Sequence, residues 1–150
     1  MRHTFRAAAA ALLVIATATP AFAGDMVFPT RAASSMTWQA RNQPYWALLA
    51  ECAGVMGAAS NWATSRGDTG AAGDYERTAT SMMGEAMHRL QADRGLSEKD
   101  SMGYAAQQVY VGRDQGAALL KSGTGAYSTF NIKRSACMEI DETYHHERNR

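Results

Sequence analysis

The sequence predicts an all-α fold, an antiparallel up-down-up-down four-helix bundle behind an irregular N-terminal arm. Apolar residues recur at three- and four-residue steps through four long windows. Glycine-rich turns separate those windows, and connections this short favour antiparallel neighbours. No alternation long enough for a sheet appears between them.

The first 23 residues read as an address rather than as structure. Arg2, His3 and Arg6 give a basic start, Ala7 to Ala18 is an uncharged apolar run, and Ala21-Phe22-Ala23 ends in the small residues a signal peptidase reads. The run is too short to span a bilayer core as a helix, which needs about 20 residues. The alanine-rich core and the A-F-A ending resemble a bacterial export signal, which implies a periplasmic or secreted chain cleaved after Ala23. Residues 24–150 then carry 13 Lys+Arg against 14 Asp+Glu. That balance shows neither a nucleic-acid footprint nor a polybasic membrane patch, and no later window reaches transmembrane length.

Residues 24–43 form the arm, with one helical turn expected after Ser34-Ser35, and 44–150 form the bundle. Pro44 suits the first position of a helix carrying Leu48, Leu49, Cys52, Val55, Met56 and Ala59 at helical spacing. Trp46 falls off that stripe and is expected at the surface as an interface aromatic, a type favoured in binding hot spots. After the turn GDTGAAGD, Asp74 is the expected N-cap of a second helix with Met82, Ala86 and Leu90 on its apolar face and Gly95 at its end. Ser97 and Asp100 form a capping pair for a third helix through Ala105, Val109, Gly116 and Leu120, which the VYVG run at 109–112 is placed to unwind locally. KSGTG closes it. A fourth helix from about Tyr127 aligns Phe130, Cys137, Ile140 and Tyr144.

The two cysteines, Cys52 and Cys137, lie on apolar stripes at matching heights of an antiparallel pair, so an exporting compartment would join them. Closing 84 intervening residues contributes about 4–5 kcal/mol in the chain-entropy picture. Arg113 lies near the apolar stripe of the third helix, between Gly112 and Gly116. A buried arginine needs a partner, and Glu51 or Asp141 is expected to supply it, as an ion pair or as part of an anion site.

Ligand-like patterns are few. Two E-x-x-H pairs, Glu85–His88 and Glu142–His145, have the spacing used in ferritin-like carboxylate bundles. At 100° per residue, however, Glu85, His88 and Glu142 are expected to face water. The ending Thr143-Tyr144-His145-His146-Glu147-Arg148 resembles the last-helix ending of small periplasmic b-type cytochromes. That resemblance implies haem ligation by His145 with a first-helix methionine, Met56, opposite. Covalent haem is excluded because C-x-x-C-H is absent. Met82, Met83 and Met87 beside His88 have the thioether character that suits copper, and their spacing also makes them a core stripe. No nucleophile elbow, H-E-x-x-H or phosphate loop is present, and no catalytic constellation emerges. The expectation is a non-enzymatic exported binding module with a protein or cell-envelope partner. The alternative is a haem, copper or iron carrier using His145, Glu142, His88, Met83 and Met87. His145 and His146 are expected in the last turn, complementing the negative end of the helix dipole.

Overall fold

The computed structural model describes residues 21–31, 34–121 and 126–150. The predicted leader, apart from its last three residues, and the turn after Lys121 lie outside the described residues. Four helices follow a short 3-10 turn, η1 (Trp38–Ala40): α1 (Tyr45–Ser65), α2 (Thr69–Arg94), α3 (Glu98–Lys121) and α4 (Ala126–Arg148). Among the described residues no helix is long and apolar enough to cross a membrane.

Helix α1 is the centre of the molecule. Its single charged residue is Glu51, and 14 of its 21 residues are buried, on every side of the helix. A helix apolar all round must be enclosed, and α2 and α3 pack along its length while α4 covers a third side. Trp46 is therefore not a surface aromatic: it is 2% exposed. Tyr104 of α3 meets it edge-on, with ring centroids 6.5 Å apart, and the Arg94 guanidinium lies 4.8 Å from its ring. A one-sided stripe is the wrong template for a helix with three neighbours.

The α1–α3 contact is made by glycine. A Cβ on Gly112 would overlap the carbonyl oxygen of Glu51, and one on Gly54 would overlap that of Val109. At Gly116 it would lie 2.9 Å from the Ala58 Cβ. The two backbones touch at successive heights in the same direction, so α1 and α3 run parallel. Helix α3 is continuous through the VYVG run, because Gly112 serves this approach and does not break the helix. Helix α4 runs the other way. Tyr45 meets Tyr144 (5.3 Å between centroids), Cys52 is bridged to Cys137 (Cα–Cα 5.4 Å), and Trp62 stacks on Tyr127 (5.8 Å).

Local signals explain the helix ends. Helix α2 begins six residues before the predicted start after Asp74. Asp68 is its N-cap and accepts from the Ala71 amide at 3.0 Å, whereas Asp74 pairs with Arg77 on the exposed face. Gly95 ends α2 in the left-handed region at φ 64°, which a residue without Cβ adopts freely. Ser97 Oγ accepts from the Asp100 amide (3.1 Å) and donates to its carboxylate (2.7 Å), closing the N-terminus of α3.

The arm is tied down more firmly than its sequence indicates. Phe28 is fully buried against Tyr45, and the Phe28 amide donates to the Gln43 carbonyl at 2.9 Å. Arg94 donates twice to Asp25, at 2.9 and 2.7 Å, from between the rings of Phe22 and Trp46. Burial opposes ionisation of Asp25, but the bonds from Arg94 and the Phe22 amide together outweigh it and hold the carboxyl below its ordinary range. Farther along, Ser34 and Thr37 hydroxyls donate to Glu139 of α4 at 2.8 and 3.0 Å.

Because the Gly112 approach is backbone on backbone, Gly112→Ala should lower the free energy of urea unfolding by at least about 2 kcal/mol. Gly57, where a Cβ meets nothing within 4 Å, is the control. Gly57→Ala should leave stability unchanged or raise it by up to ~1 kcal/mol. Equal losses at both positions would show that the α1–α3 backbones are not in contact.

Candidate metal centre

Helix periodicity puts Asp141 and His145, four residues apart, on one face of α4. That face turns toward α2, where Glu85 stands one residue before buried Ala86. Parallel alignment of α2 and α4, also seen in the Tyr75–Phe130 contact at 6.5 Å, brings the three to the same height. The His145 Nε2 lies 3.2 Å from Glu85 Oε1 and 3.8 Å from Asp141 Oδ1. One ligand atom from each residue falls within 4.8 Å of the others. The site is half-buried, with side chains 17% (Glu85), 23% (Asp141) and 40% (His145) exposed.

Two features give the cluster chemical potential. The second Glu85 oxygen, Oε2, is buried and has no hydrogen-bond partner, a costly state for a carboxylate in a protein interior. Burial raises the Asp141 carboxyl above its ordinary range, and the neighbouring His145 only partly offsets this. A divalent cation would compensate the charge of both carboxylates. Two carboxylate oxygens and one imidazole nitrogen form a borderline-hard donor set suited to zinc, manganese or iron(II), and three protein ligands leave coordination positions for water.

The arrangement corrects the expected facing of Glu85. Measured from the Met82–Ala86–Leu90 stripe, Glu85 points away from α1, but α2 also borders α4, and Glu85 fills that second boundary. Each E-x-x-H pair contributes one member: Glu85 from the first and His145 from the second. Their partners His88 and Glu142 are exposed and stand outside the ligand cluster. Met87 packs against the core, and Met83 also borders a groove between α1, α2 and α3. His145 and Met56 are not brought together. Tyr144 packs on Tyr45, and Met56 lies eleven residues, or ~16 Å, farther along α1.

The expected partnership of Arg113 is also corrected. The buried edge of α3 is Ser101, Ala105, Gly112 and Gly116, and Arg113 stands one position beside it. Arg113 is exposed, with its guanidinium 5.0 Å from the Tyr110 ring. Among the described residues it forms no ion pair. Glu51 accepts instead from Lys133 of α4 at 2.6 Å, and Asp141 belongs to the His145 cluster. Lys133 carried no sequence signal beyond being a cation one turn before Cys137.

Comparison with protein-family models, with curated proteins and with solved structures finds no match.

Since Glu51 is largely buried and Lys133 is about a third exposed, Lys133→Met should cost roughly 1–3 kcal/mol, less than a fully buried pair. Arg113→Met should change stability by less than about 0.5 kcal/mol. Urea unfolding of both variants checks the assignment, and the reverse order would return Glu51 to Arg113.

Proposed function

We propose that this chain is an exported helical binding module, braced by the Cys52–Cys137 disulfide, whose ligand at the Glu85–Asp141–His145 centre is a divalent transition-metal ion. The observation that carries the reading is Glu85, whose Oε1 lies beside the His145 nitrogen near a second carboxylate while its Oε2 is buried without a partner. The disulfide fits an oxidising compartment, and the basic-apolar-small pattern of residues 1–23 supports export. The site supplies charge and nitrogen ligation without thiolate or thioether, which favours zinc, manganese or iron(II) over copper(I).

Calorimetric titration of the oxidised protein with zinc and with manganese tests this. One ion should bind per chain, and both His145→Gln and Glu85→Gln should weaken binding at least tenfold without altering the far-UV dichroism. His146→Gln should bind as the parent does. Affinity should fall as pH drops, because His145 must be neutral to ligate and the raised Asp141 carboxyl takes up its proton earlier than a free aspartate. Absence of saturable binding above neutral pH would reduce the cluster to a histidine–carboxylate contact.

A further inference from the structure

A second feature, independent of the metal centre, lies on the molecule's other side. Helices α2 and α3 diverge over α1 and leave a groove of about 440 Å³, within the ordinary range of about 300–1,000 Å³ for small-molecule sites. Gly57 lies on its floor, Met83 and Thr80 form one wall, and Val109 and Tyr110 form the other. Of the residues that line it, Arg113 is the only charged one.

Three observations narrow the occupant. The groove is apolar and runs two turns of α3, from Ala106 to Arg113, or ~10 Å, the reach of a short to medium aliphatic chain. Arg113 has no carboxylate partner among the described residues, and its planar fork matches a carboxylate in a bidentate manner. One cation is too few for an anionic membrane surface, where clusters of four to eight basic residues are usual. Gly57 adds a further point. Gly54, Gly112 and Gly116 are each demanded by the α1–α3 approach, but a Cβ at Gly57 would meet nothing within 4 Å. The missing side chain there is what keeps the floor open.

We infer that the α1–α2–α3 groove binds a free medium-chain aliphatic carboxylate, with its chain over Gly57 between Met83 and Val109 and its carboxylate on Arg113.

The test is calorimetric titration of the oxidised protein with octanoate and with octan-1-ol, for the parent, Arg113→Gln and Gly57→Leu. Octanoate should bind the parent one-to-one and at least tenfold more tightly than octan-1-ol. Arg113→Gln, a change at an exposed position that the fold tolerates, should bring octanoate down to the alcohol's level. Gly57→Leu fills the floor and should abolish both while melting at or above the parent's temperature. The inference fails if octanoate shows no saturable binding, if the alcohol binds equally well, or if Arg113→Gln leaves octanoate affinity unchanged. It also fails if the protein instead sediments with phosphatidylglycerol vesicles through Arg113, or if the groove is closed in solution by a dimer that Gly57→Leu dissociates. The groove and the metal cluster share no residue, so these variants should leave the metal titration unchanged and the two sites stand or fall separately.

Discussion

The close approach of α1 and α3 is the constraint on which the rest of the molecule depends. Gly54, Gly112 and Gly116 let the two backbones touch, which places the axis of α3 nearer to α1 than side-chain packing would permit. A central helix so tightly held on one side has to be covered on the others by α2 and α4. Packing on α1 is then mostly by small residues, from Ala47 and Ala50 through Ala53, Ala58, Ala59 and Ala63. Bulk is concentrated at the N-terminal end of α1, where Phe28, Tyr45 and Tyr144 fill the space between arm, α1 and α4 and Trp46 packs toward Tyr104 of α3 and Arg94 of α2. The disulfide joins α4 to α1 midway between that aromatic end and the Trp62–Tyr127 stack.

Both candidate sites follow from this geometry. Because α1 occupies the centre, α2 and α4 meet only along their margins, through an aromatic contact at Tyr75–Phe130 and a polar one at Glu85–His145. A boundary of that kind is half-wet, which allows carboxylates and an imidazole to sit together with one oxygen left without a partner. On the opposite margin α2 and α3 part over Gly57, and the small residues of α1 form a floor instead of filling the gap. The enclosure of one helix by three thus leaves polar contact at one margin and an open apolar groove at another.

The four helices were legible in the sequence because their apolar steps are long and their stops are glycines, as at Gly95. The cysteine pairing was legible because both residues sat on stripes at matched heights. Burial of Trp46 was not, since a single-stripe reading assumes one buried face per helix and α1 has three. The same assumption hid Glu85, which looks solvent-facing until α4 is placed beside α2. Arg113 was misassigned by one helical position: Gly112, not Arg113, faces Glu51. Phe28 and Asp25 lie in a segment without periodicity, and their roles depend on contacts with Tyr45 and Arg94 that no local pattern encodes. Lys133 is the partner of Glu51 only because α4 runs antiparallel to α1 in this register.

The claim that α1 draws α2 and α4 together into a metal-binding margin is tested most directly by a crystal structure grown with zinc and measured at the zinc absorption edge. The expected result is one anomalous peak per chain, about 2.0–2.2 Å from His145 Nε2 and from one oxygen each of Glu85 and Asp141. An ion bound only at exposed His88 or His146, or His145 bonded directly to Glu85 with no peak between the helices, would contradict it.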